Sequence, residues 1–124
     1  MILVIGGAYQ GKRQFAREIS GLEDWADGRI CGEDELDTCG GMVDFHEYIR
    51  NRLAEGRDCT GIPERVMRAN PGVVLTANEL GCGVVPVDAF DRRYRETVGR
   101  VCTGLAAEAE AVYRVICGIG VRIK

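Results

Sequence analysis

Long hydrophobic runs are missing from this 124-residue chain. No apolar stretch approaches the ~20 residues that a bilayer-spanning helix requires. The first residues carry neither a basic segment nor an extended apolar one, so no export signal is read there. An excess of positive charge is lacking too: 16 Lys and Arg stand against 19 Asp and Glu, for a net charge of −3. With the basic residues scattered among acids, nucleic acid and anionic membranes are excluded as electrostatic partners. Histidine occurs once, and none of the six cysteines sits in a Cys-x-x-Cys pair, so the close ligand spacing of a zinc site is absent. Without an export signal a disulfide framework is not expected. Cys31, Cys39, Cys59, Cys82, Cys102 and Cys117 therefore read as free thiols in a reducing, cytoplasmic setting. Internal repeats and low-complexity tracts are also absent. What remains is a chain with 46% hydrophobic and 28% charged residues, ordinary for a globular protein and of a length for one domain over 1–124.

The most specific feature present is Gly6-Gly7-Ala8-Tyr9-Gln10-Gly11-Lys12-Arg13, directly after the apolar run Ile2-Leu3-Val4-Ile5. It meets the phosphate-binding pattern G-x-x-x-x-G-K-[ST] at every position except the last. Glycines in such a loop let backbone N–H groups turn inward around phosphate oxygens, and the lysine reaches the terminal phosphates. The hydroxyl at the final position normally holds Mg²⁺, and here Arg13 replaces it. Arginine is a permanent cation without an acceptor, so it cannot ligate the metal. It either binds a phosphate oxygen itself, in partial replacement of the metal's charge, or points to solvent; the sequence leaves both open. Phe15, Ile19 and Leu22 recur at helical spacing after the loop, which predicts a helix from near Gly11 with its N-terminus aimed at an anion.

The rest of the chain alternates strands and helices. Arg29-Ile30-Cys31 is a short strand candidate. After it comes the acidic group Glu33, Asp34, Glu35 and Asp37, a solvated loop or helix start that could in principle coordinate Mg²⁺. Met42, Phe45, Ile49 and Leu53 predict an amphipathic helix over 42–54, ended by Gly56. A short helix is expected from Pro63 to Ala69 and a buried parallel strand at Val73–Thr76. The glycine-rich connection 81–86 then leads to Asp88, a candidate cap for a long helix over about 88–110. Strands at Val112–Cys117 and Val121–Ile123 close the chain. This order indicates an α/β layer fold with a mainly parallel sheet.

Lys12 is the leading candidate for chemistry, with the loop residues Gly6 to Arg13 as the nucleotide-binding set. His46 is the sole histidine, on the border of an apolar helix face between Asp44 and Glu47. It reads either as a half-buried helix residue or as a general base or nucleophile. Glu79, with Asn78, lies at the C-terminal end of a parallel strand, where ligands bind in open α/β sheets. A carboxylate there can hold Mg²⁺ through water or orient a nucleophile, and it can equally cap a loop. Gly81 and Gly83 would let backbone approach a ligand closely. No resident metal site is expected.

Four stretches resemble one known family. The start Met1–Ala8 with Gly11-Lys12 is similar to that of adenosylcobinamide kinase/adenosylcobinamide-phosphate guanylyltransferase, a bifunctional enzyme of cobalamin biosynthesis. Thr76-Ala77-Asn78-Glu79-Leu80-Gly81-Cys82-Gly83-Val84-Val85-Pro86 resembles the family segment T-N-E-V-G-x-G-I-V-P. Asp91–Arg100 resembles its next helix, and Gly118-Ile119-Gly120-Val121-Arg122-Ile123-Lys124 its last strand. The motifs cover residues 1 to about 20 and 70 to 124. The resemblance implies a P-loop, RecA-like three-layer fold with a mostly parallel sheet and an antiparallel C-terminal strand. It implies ATP or GTP as cofactor, a corrinoid such as adenosylcobinamide as substrate, and a homo-oligomer. Members are longer. They carry a histidine that accepts GMP covalently, on a helix after the second strand, and an acidic strand segment with Asp or Glu before Cys-Leu-Thr or similar. Neither is placed in this sequence by its motifs. The family's loop serine is Arg13 here, and its threonine before Asn-Glu is Ala77.

Two classes of function result. One is a kinase or nucleotidyltransferase, with Lys12 and the loop stabilising phosphate charge, Glu79 positioning a metal or nucleophile and His46 as base. The other is a catalytically silent nucleotide-binding regulator or an assembly partner in the same pathway, which Arg13, Ala77 and the unmatched middle favour.

Overall fold

In a computed structural model, described over residues 1–80 and 86–124, six strands form one sheet in the order β2-β3-β4-β1-β5-β6. The strands are β1 Ile2–Gly6, β2 Ala26–Asp27, β3 Gly41–Val43, β4 Val74–Asn78, β5 Ala111–Ile116 and β6 Ile119–Arg122. The first five run parallel, and β6 turns back antiparallel on β5. The helices are α1 Lys12–Ser20, α2 Phe45–Ala54, α3 Ile62–Ala69 and α4 Ala89–Glu108, with a 3₁₀ turn at Glu33–Asp37. The mostly parallel α/β fold with an antiparallel end is the expected one.

Alternation along the strands explains the three layers. Leu3 of β1, Met42 of β3, Leu75 and Ala77 of β4 and Val112 of β5 face one side, where α2, α3 and α4 cover them with Phe45, Ile49, Ile62, Val66, Val98 and Leu105. Val4, Val74 and Val115 face the other side, where α1 lays Ala16 and Phe15 against them. Buried on both faces, these strands read as continuous apolar runs.

Three local expectations are corrected. Met42 lies in β3 and not in a helix, so the predicted helix 42–54 begins only at Phe45. Between them Asp44 has φ 53°, a left-handed conformation that ends a strand and sets a new direction. The expected strand Arg29–Cys31 is a turn, and the strand lies at Ala26–Asp27. The first helix stops at Ser20, where Gly21 caps it at φ 70°; Ala16, not Ile19, is its buried apolar residue. The longest helix is borne out closely: Asp88 accepts hydrogen bonds from the Phe90 and Asp91 N–H groups at 2.7 and 3.2 Å. Residues 81–85, with Gly81 and Gly83, lie outside the described residues. Among those described, no helix is long and apolar enough to cross a membrane.

Candidate functional site

Five parallel strands end along one edge of the sheet, and the chain turns polar as it leaves them. After β1 comes the loop 7–11, after β2 Gly28 and Arg29, after β3 Asp44, and Asn78 ends β4. Open α/β sheets bind ligands outside these carboxyl ends. A cavity of about 500 Å³ lies there, lined by Ala8 to Arg13, Arg29, Asp44, His46, Glu47, Thr76 and Asn78.

The loop takes its shape from its glycines and its neighbours. Gly11 caps α1 at φ 91°, a conformation open to glycine and costly for other residues. At Gly6 a Cβ would stand 2.5 Å from the Val115 carbonyl oxygen of the adjacent strand. The β5–β6 turn holds the loop from outside: the Gly118 N–H donates to the Gln10 carbonyl at 2.7 Å, and the Cys117 N–H to Gln10 Oε1 at 2.7 Å. Tyr9, at φ 59°, stands fully exposed at the loop's tip.

Lys12 opens α1 and is 7% exposed. Its Nζ donates to the Gly7 carbonyl at 2.7 Å, folding the ammonium back over the loop. Burial lowers its pKa, against the opposing pull of Asp44 and Glu79. Arg13 does not simply point to solvent: its guanidinium donates to Asp44 Oδ2 at 2.8 Å. Arg29, paired with Asp27, approaches the same Asp44 oxygen at 3.6 Å.

His46 is 4% exposed, in the first turn of α2. The Asn78 backbone N–H donates to its Nδ1 at 3.1 Å. The neutral ring therefore carries its proton on Nε2, which lies 3.8 Å from Glu47 Oε1. Burial lowers the pKa of His46, so the ring is neutral at pH 7. In this state the Nε2–H of His46, a residue of the cavity lining, is a donor. Thr76 Oγ1, from β4, accepts the Asp44 N–H at 3.2 Å and fixes the left-handed turn.

Glu79 stands beside this cavity and not among its lining residues. Its N–H donates to the Gly6 carbonyl at 2.9 Å, which ties the end of β4 to β1. Arg114 of β5 grips its carboxylate with two bonds of 2.8 and 3.0 Å. So Lys12, His46 and the loop from Ala8 to Arg13 meet in one cavity, Gly6 and Gly7 form the strand end and turn beneath it, and Glu79 is an adjacent, arginine-held carboxylate. Sequence reasoning missed Asp44, Arg29 and Arg114. The visible signal for Asp44 was Gly41-Met42-Val43-Asp44, an apolar run ending in an acid; Arg29 and Arg114 reach their positions only through sheet pairing.

Among the described residues, the side chains at this loop do not compose a divalent-cation site. The loop position that would supply a hydroxyl is a guanidinium, and the nearest carboxylate already accepts from it. Among the described residues, no group of three His, Cys, Asp or Glu side chains is placed to hold a metal. In the acidic group at Glu33–Asp37, Glu33 and Asp37 are held in the same way, by Arg52, Arg57 and Arg65.

Residues 40–123 match the family described as cobinamide kinase / cobinamide phosphate guanyltransferase, CobU. The loop 6–13 precedes that match. The chain is 50% identical over 81 residues to the bifunctional adenosylcobalamin biosynthesis protein CobU of Escherichia coli K12, covering 65% of this chain and 45% of that protein. It is 50% identical over 52 residues to the protein of the same description from Salmonella typhimurium LT2, covering 42% of this chain and 29% of that protein. The matched part thus spans less than half the length of either relative. The match also carries the resemblance through residues 40–69, where motifs alone found none.

Proposed function

The chain belongs to the cobinamide kinase / cobinamide phosphate guanyltransferase family, and on that premise we propose that it is a nucleotide-binding transferase of cobamide biosynthesis. In this reading the 1–124 chain is one domain that takes the polyphosphate of ATP or GTP in the cavity above β1. It transfers a phosphoryl or guanylyl group to adenosylcobinamide or a related corrinoid. The observation that carries the reading is Lys12: a buried lysine at the start of α1, behind a glycine loop, at the C-terminal edge of a parallel sheet. Its ammonium exchanges the Gly7 carbonyl for a phosphate oxygen, and the loop N–H groups and the dipole of α1 add to the field. His46 Nε2–H donates to the ligand from α2. Glu79, oriented by Arg114, positions the acceptor.

A specific observation favours a second reading, binding without transfer. With Nδ1 accepting from Asn78, His46 presents no lone pair at Nε2 for attack on phosphorus. Incubation with adenosylcobinamide and GTP labelled at the α- or γ-phosphate separates the two. Transfer of label to the corrinoid, lost in Lys12→Ala, supports the transferase; nucleotide binding with no transfer supports the silent binder. Binding of neither ATP nor GTP would sink both. A cytoplasmic homo-oligomer is part of the proposal. Ile119, Val121 and Ile123, exposed on and just beyond the edge strand β6, are the residues that association would cover.

A further inference from the structure

We propose that this cavity takes a polyphosphate as the free anion rather than as its magnesium complex, with Arg13 in the cation's place; the inference rests on the nucleotide-binding reading above. Three side-chain cations line the cavity, Lys12, Arg13 and Arg29, against two carboxylates, Asp44 and Glu47. Asp44 Oδ2, at the rim of this cavity, faces two guanidinium groups, Arg13 at 2.8 Å and Arg29 at 3.6 Å. Neither can lose its proton to make room.

Both cations of the loop itself are parked on internal acceptors, Lys12 on the Gly7 carbonyl and Arg13 on Asp44. These partners are exchangeable. The Arg13 side chain is 49% exposed, and an ion pair so open to water contributes little net stability. A phosphate offers the guanidinium fork two oxygens in one plane, a better match than the single bond to Asp44. When Arg13 swings to phosphate, Arg29 stays beside Asp44, so the carboxylate is not left uncompensated. The swap replaces one ion pair by another and requires no metal. Magnesium then acts as a competitor, because it occupies the oxygens that Arg13 and Lys12 would take.

Calorimetric titration with inorganic tripolyphosphate and with GTP, each in EDTA and in excess Mg²⁺, reads the sign directly. The expected result is tighter binding in EDTA, by about tenfold, the loss expected for one charge-assisted contact. Arg13→Ser supplies the hydroxyl and removes the nearer of the two guanidinium groups at Asp44, so its affinity should rise with Mg²⁺ instead. Arg13→Gln removes the charge without adding that hydroxyl, and it should lose the EDTA advantage without gaining a metal requirement. Wild-type binding of GTP that requires Mg²⁺ overturns the inference and leaves the nucleotide-binding function standing. An unchanged metal response in both variants overturns it as well. No binding of either ligand in either buffer overturns both.

Discussion

Two groups of arginine–carboxylate pairs in this molecule look alike in sequence and differ in consequence. In the first, Arg65 holds Asp37 with two bonds of 2.8 and 2.9 Å and reaches the Glu33 carbonyl at 3.1 Å, while Arg52 and Arg57 close on the Glu33 carboxylate. These residues join the 3₁₀ turn to α2, α3 and the loop between them. In the second, Arg13 and Arg29 converge on Asp44 at the rim of the loop cavity. The chemistry is the same. The difference is whether the arginine faces open space that a stronger acceptor could fill. The Arg65 side chain is 18% exposed and surrounded by partners; that of Arg13 is half exposed and, among the described residues, bonds to Asp44 alone. On the proposal above, the second pair is the one that can change partner.

That contrast can be broken in order of effect. Arg65→Ala should destabilise the fold by about 2 kcal/mol, because it strips Asp37, the Glu33 carbonyl and the Tyr48 hydroxyl of a donor together. The melting temperature should fall by roughly 8 °C with polyphosphate affinity per folded molecule unchanged. A change in affinity would mean that the two clusters communicate. Gly11→Ala should cost about 1 kcal/mol for the residue at φ 91° and weaken anion binding as the loop deforms; thermal melts and the same titration read both. Arg13→Ala should lie within about 0.5 kcal/mol of wild type in stability and yet change the affinity for polyphosphate. Equal loss of both would make the Arg13 pair structural, like that of Arg65.

The smallest effect concerns pH. His46 has its pKa lowered by burial from the ordinary value of 6.5, so below that pH the unfolded chain binds a proton that the folded one resists. The His46 contribution to stability should be level above pH 6.5 and decline as pH falls beneath it, by at most about 1.4 kcal/mol per unit. Asp27 and Asp37, held low by Arg29 and Arg65, contribute their losses only in a more acid window, below the ordinary carboxylate value of 3.8. Chemical denaturation at stepped pH would show His46→Asn flat between pH 6.5 and 5. A slope retained in that variant would assign the effect to another group.

Local patterns carried most of the fold that could be read beforehand. The loop 6–13, β1, β4, the Asp88 cap and α4 are each written in contiguous residues, and the observed elements match them closely. The strand β3 was not legible, because three residues cannot show alternation and Met42 falls at helical spacing from Phe45 and Ile49. Its loss hid Asp44, the residue on which the rim's ion pairs converge. The grip of Arg114 on Glu79 spans 35 residues and exists only because β5 lies beside β1 and β1 beside β4. The acidic stretch at 33–37 drew attention as a metal candidate for its composition, and its arginine partners come from α2, α3 and the loop between them.

The central claim is that the cavity over β1 holds a nucleotide's polyphosphate through Lys12. Titration of wild-type protein and of Lys12→Ala with GTP and ATP tests it most directly. The predicted result is binding of at least one nucleotide by the wild type and a loss of about 10- to 100-fold in the variant, the share of one charge-assisted contact in a shielded site. Equal affinities in the two proteins would contradict it.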